Sequence, residues 1–119
     1  MNLAEVAERI GARILNPERA REVDVDRVHA GDRMSDLLSH VSDTTLLVTH
    51  IANHGLVRLI ELMDAPGICL VNGAAPDQLV EEAARRCGTV LLVSPASLFE
   101  TCGRLHRCLG AGGEGAAAR

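Results

Sequence analysis

Residues 45–93 read TLLVT-HIANHGLVRLIELMDAPG-ICLV-NGAAPDQLVEEAARRCGT-VLLV, and this stretch decides the fold. The runs Thr45–Thr49, Ile68–Val71 and Val90–Val93 are short and aliphatic, with no polar alternation. Each is followed by a segment of helical spacing, over about 53–63, 76–87 and 97–109. Continuously apolar strands alternating with helices mark a parallel sheet buried on both faces, joined by right-handed crossovers. The expected class is α/β, a three-layer α/β/α sandwich with a mainly parallel central sheet. In the helix 76–87, Leu79, Val80, Ala83, Ala84 and Cys87 form the expected buried face, opposite Asp77, Gln78, Glu81, Glu82, Arg85 and Arg86. Glu81 with Arg85, and Glu82 with Arg86, have the favourable i,i+4 polarity. Pro76 suits the first helical position and Gly88 the stop.

Working towards the N-terminus, Met34, Leu37, Leu38 and Val41 form a helical stripe, with Asp32 or Arg33 near its start. Val23, Val25 and Val28 mark an extended segment leading to Gly31, and residues 13–15 a short strand closed by Asn16-Pro17-Glu18. Leu3, Val6, Ala7 and Ile10 form a first helix that Gly11 is placed to end. In the helix 53–63, by contrast, Leu56, Val57, Leu59, Ile60, Leu62 and Met63 wrap too far round for one face against a sheet. A second copy of the chain is the expected cover, so a homodimer is predicted; the first helices or the tail are the alternative cover. Residues 110–119, rich in Gly and Ala without apolar periodicity, read as a flexible tail behind a domain of residues 1–109.

The 119 residues fit one domain, and a core of this size buries roughly 65% of the unfolded surface. Trp and Tyr are absent and Phe99 is the sole aromatic, so no platform exists for stacking bases. A net charge of −4 gives no footprint for a phosphate backbone, and nucleic acid is excluded as a partner. No run approaches the ~20 apolar residues of a membrane span, and with Glu5, Glu8 and Arg9 inside a helical pattern the N-terminus is not expected to be a signal peptide. Cys69, Cys87, Cys102 and Cys108 show no tight ligand spacing; three of them stand where buried aliphatics are expected, as free thiols of a cytoplasmic protein.

In a parallel sheet, ligands gather beyond the carboxyl ends of the strands. The connections there are Thr49-His50-Ile51-Ala52-Asn53-His54, Asn72-Gly73-Ala74-Ala75-Pro76 and Ser94-Pro95-Ala96-Ser97. Each delivers a helix N-terminus, which favours an anion or a carbonyl-rich ligand. Plain helix capping by Asn53, Asp77 and Ser97 accounts for the same residues in part. His50 and His54 are four apart but lack a third ligand, since His29 and His40 lie in a different segment; no metal and no cofactor are expected. There is no GxxxxGK[ST] loop, no lysine at all, no GxSxG elbow and no GxGxxG after a strand, so the chain is not expected to be an enzyme. Cys102 and Cys108 would need a nearby base, and His106 on their helix points away from Cys108, so core packing is their expected role.

The stretch Gly31-Asp32-Arg33-Met34-Ser35-Asp36-Leu37-Leu38-Ser39-His40-Val41 resembles the DRTGG domain family. The resemblance runs on through Thr49-His50-Ile51-Ala52-Asn53, then Ile68 to Gly73 with Pro76-Asp77, and ends near Ser97-Leu98-Phe99-Glu100. The Ser-Asp-Leu-Leu-Ser element is its most specific part, and the pentapeptide that names the family is not present intact. The resemblance implies a fold like the N-terminal domain of HPr kinase/phosphorylase. It also implies kinship with accessory, often dimerising, regulatory domains of some phosphotransacetylases and CBS-bearing pyrophosphatases, in which chemistry belongs to other domains. Carried over, the polar positions are Ser35, Asp36, Ser39, His50, Asn53, Asn72 and Gly73, to which the strand-end reading adds Thr49 and Ser94; Ser35 and Asp36 equally suit the cap of their own helix. The function this implies is a non-catalytic domain sensing a small anionic metabolite or nucleotide, the alternative being an interaction module that docks on a partner enzyme and binds nothing small.

Overall fold

The computed structural model describes residues 1–109, so the expected tail lies outside the described residues. Helix α1 (Leu3–Ile10) opens on a capping box between Asn2 and Glu5 and closes on Gly11 in the left-handed region. Strand β1 (Arg13–Ile14) and a 3-10 turn (Pro17–Arg19) follow, then β2 (Arg27–Ala30) and α2 (Met34–His40). The regular part comprises β3 (Thr45–Thr49), α3 (Gly55–Leu62), β4 (Gly67–Leu70), α4 (Gln78–Cys87), β5 (Val90–Val93) and α5 (Leu98–Leu109).

The sheet order is β1-β5-β4-β3-β2; β2 to β5 are parallel and β1 pairs antiparallel with β5. Because β2 to β5 are laid down in sequence and crossovers share one hand, α2, α3 and α4 fall on the same face. The period-two alternation of the strands then divides the core. Leu46, Val48, Cys69, Val71, Val90 and Leu92 pack with α1 and α5. Leu47, Ile68, Leu70, Leu91 and Val93 pack with the other three helices. Strand residues buried on both faces are what an aliphatic run without alternation requires.

Asn16 holds the edge strand to its neighbour. It is buried, donates from Nδ2 to the Thr89 carbonyl (2.7 Å) and accepts at Oδ1 from the Leu91 N–H (2.8 Å). Its amide thereby continues the ladder where β1 turns away.

Expectations about two of the helices are corrected. Helix α4 begins at Gln78, because the Asp77 carboxylate caps it by accepting from the Leu79 N–H; Pro76 stands outside the helix. Leu79 is therefore in the first turn, beyond the sheet, and is 55% exposed, while Cys87 is exposed at the last residue. Arg86 reaches across to Glu61 of α3 in place of the expected pairing with Glu82, whose carboxylate accepts from Gln78. Helix α3 is shorter than expected and buries Leu56, Leu59 and Ile60, leaving Leu62 69% exposed.

Candidate functional site

Parallel pairing carries the ends of β3, β4 and β5 to one edge, and main-chain hydrogen bonds join the connections that leave them. The Asp77 N–H donates to the Ala52 carbonyl (3.0 Å), Asn72 N–H to Ala96 (2.8 Å) and Gly73 N–H to Ser94 (2.8 Å). The three polar connections thus form one continuous rim. Helices α4 and α5 leave it on opposite faces of the sheet, which is the divergence that opens a crevice in α/β proteins. Here the bonds from Asn72 and Gly73 draw the two loops together across that point.

The expected site residues divide by what their side chains do. Thr49 and Ser94 are buried and serve the loops: Thr49 Oγ1 accepts from the Ile51 N–H (3.2 Å), while Ser94 Oγ pairs with Thr101 Oγ1 (2.8 Å) and accepts from the Ala96 N–H (3.2 Å). Both side chains are thereby engaged within the loops that form the rim. His50, Asn53, Asn72 and Gly73 are exposed on it. Asn53, just before α3, accepts at Oδ1 from the Gly55 N–H (3.0 Å), and its side chain is exposed. Asn72 holds φ at 59° and Gly73 at 63°. A non-glycine residue in the left-handed region is strained, and such positions gather at functional loops.

Ser35, Asp36 and Ser39 are not on that rim segment. They ride on α2 beside the edge strand β2, two and three strands from β4 and β5, or about 10 and 14 Å across the sheet. Ser39 Oγ donates to the Ser35 carbonyl (2.9 Å), a bond internal to the helix. Asp36 instead meets two histidines that sequence reasoning set aside. Its Oδ2 accepts from His29 Nε2 (2.7 Å), and its backbone carbonyl accepts from His40 Nδ1 (3.0 Å). The His29 and His40 rings stack, centroids 3.7 Å apart and 6° from parallel. The hydrogen bond from His29 holds the Asp36 carboxyl below the usual range. The i,i+4 spacing of Asp36 and His40 is visible in the sequence; that β2 turns His29 towards α2 is not.

Between α2 and α3 lies a cleft of about 510 Å³, lined by Met34, Leu38, Ile51, Leu59 and Leu62, with Asn53 and Arg58 at its polar side. It borders the rim at Asn53, and it exposes two large apolar side chains, Leu38 and Leu62.

No protein-family model and no curated protein matches the chain. Among solved structures, the chain is similar to the CBS and DRTGG domains of the regulatory region of Clostridium perfringens pyrophosphatase, a complex with the activator diadenosine tetraphosphate. The TM-score is 0.71 at 17% identity, over 87% of this chain and 45% of that one. The chain thus spans less than half of that regulatory region, and at this identity the likeness is one of architecture. The chain has a DRTGG-like α/β/α fold.

Proposed function

We propose that this chain is a non-catalytic regulatory domain of the cytoplasm that senses a small anionic metabolite, with nucleotides as the favoured class, at the rim formed by residues 50–54, 72–77 and 94–97. The observation that carries this reading is the stitching of three loops into one surface that presents His50, Asn53 and Asn72 to solvent. The N-termini of α4 and α5 abut the same surface and favour negative charge. The similar pyrophosphatase regulatory region was solved with a nucleotide activator, which supports the ligand class. The absence of a lysine-bearing phosphate loop from the sequence supports a role without catalysis. The four cysteines stand as free thiols, which suits a reducing compartment.

Thermal unfolding against a panel of nucleotides and acyl phosphates tests the reading. A ligand at about 100 times its dissociation constant adds roughly 2.7 kcal/mol. For a domain of this size that raises the midpoint by on the order of 10 °C. His50→Ala and Asn53→Ala are expected to abolish the shift. A midpoint unmoved by every compound overturns the reading.

A second reading is favoured by the exposed Leu38 and Leu62 along the α2–α3 cleft. On this reading the chain is an interaction module: the cleft receives a second copy or a partner enzyme, and no small ligand is bound. Light scattering decides the first occupant: the homodimer gives twice the chain mass, and a monomer at high micromolar concentration rejects it.

A further inference from the structure

We propose that His29, Asp36 and His40 form a binding site for a divalent transition metal at the β2–α2 corner, best matched to Zn2+. The proposal goes beyond the rim reading, since it uses none of His50, Asn53 and Asn72 and requires no organic ligand.

Two rigid elements bring the donors together. His29 is held in β2 by its pairing with Leu47 of β3, on the sheet face that α2 covers. Helix α2 is pinned to that face by Leu37, which is fully buried, and its i,i+4 geometry stacks His40 over Asp36. One donor atom from each of the three residues lies within 4.8 Å of the other two. Ligands about 2.1 Å from a tetrahedral ion stand about 3.4 Å from one another. His29 Nε2 and Asp36 Oδ2 are 2.7 Å apart, and His40 Nδ1 and Asp36 Oδ1 3.7 Å; because the two rings lie in near-parallel planes, His40 would rotate out of the stack and release the Asp36 carbonyl to turn Nδ1 onto a shared ion. The Nε2–H of His29 that faces Asp36 stands where the cation would sit, so binding requires the His29 tautomer that carries its proton on Nδ1.

The donor set fixes the class of ion. Two imidazole nitrogens and one carboxylate oxygen suit Zn2+ and its first-row neighbours, whereas Mg2+ and Ca2+ require mostly oxygen. Three protein ligands leave a fourth position for water, and the partial exposure of all three side chains gives the ion a way in. Gly31 is part of the construction. A Cβ there would clash with Asp36 Oδ2, so a larger residue would turn the carboxylate away from His29.

Calorimetric titration of the chelator-treated chain with Zn2+ alone tests the proposal, with Co2+ as a spectroscopic probe. One equivalent is expected to bind, and Co2+ should develop the intense visible bands of a tetrahedral site. His29→Gln, Asp36→Asn and His40→Gln should each weaken binding by at least roughly tenfold, and Gly31→Ala by about tenfold without removing a ligand. Cys87→Ala, His50→Gln and His54→Gln should leave the affinity unchanged. Circular dichroism identifies any variant that fails to fold, and Gly31→Ala then carries the comparison with all three ligands intact. Absence of binding at millimolar Zn2+, or binding that survives all three ligand substitutions, overturns the proposal. So does loss of binding in the Cys87 or His50 variants, which would place the ion elsewhere.

Discussion

Replacing Asn16 by Ala is expected to destabilise the domain by about 2–5 kcal/mol, more than truncating any exposed polar side chain of the rim. The side chain is 7% exposed and forms two hydrogen bonds to the backbone of residues more than seventy positions away. Its loss leaves the Thr89 carbonyl and the Leu91 N–H without their side-chain partner between β1 and β5. Each orphaned buried group costs about 1–3 kcal/mol, and the two losses are nearly independent. Asn16→Asp should be at least as harmful, because a carboxylate keeps the acceptor for Leu91 but replaces the donor to Thr89 by a buried charge. Urea titration gives the measurement: a lower midpoint with an unchanged slope reports stability alone. A loss below about 1 kcal/mol for Asn16→Ala would show that β1 is held by packing and not by this amide.

Asn16 also shows where the sequence is and is not transparent. In the sequence, Asn16-Pro17-Glu18 reads as a turn, and the chain does turn there, through Pro17–Arg19. Nothing in a turn motif says that its first side chain bonds to the backbone of a strand more than seventy positions away. The three aliphatic runs, by contrast, announce themselves, because burial on both faces requires an unbroken apolar string. Their parallel pairing is found as expected. Helix α4 was legible in kind but not in phase at its start. Whether Pro76 or Asp77 opens it depends on which side chain reaches the Leu79 N–H, and that choice decides whether Leu79 covers the sheet or faces solvent. The rim was legible as a place, since parallel strands put their carboxyl ends together. The hydrogen bonding within it was not: Thr49 and Ser94 read as ligand-facing by type, and the structure buries both side chains in hydrogen bonds to the loops they brace. The His29–Asp36–His40 corner required the register of β2 on β3, which no local pattern in residues 23–30 specifies.

Raising the pH above 9 is expected to weaken the fold by about 1.4 kcal/mol for every further unit, through Cys69. Its thiol lies in the middle strand, fully buried against the α1–α5 face, with Sγ 3.7 Å from the Leu70 carbonyl. Burial withholds water from a thiolate there and, aided by nearby Cys102, pushes the thiol from 9.0 up to about 12. The acid is thus raised in the folded chain. Below pH 9 both states carry the proton, and stability is unaffected. Between 9 and 12 the unfolded chain loses its proton and the folded chain does not, so each step of alkalinity favours unfolding, to a total of about 4 kcal/mol. That is a large part of the 5–15 kcal/mol typical of a domain. Cys69→Ala should flatten this limb, leaving only the contributions of Cys102 and Cys108, which burial also raises. Exposed Cys87 offers an independent check, because a thiol reagent at pH 8 should modify it in the native chain while Cys69 reacts only after unfolding. Urea midpoints that fall equally in the Cys69→Ala variant and the parent between pH 9 and 11 would remove Cys69 as the cause and place it in groups outside the sheet.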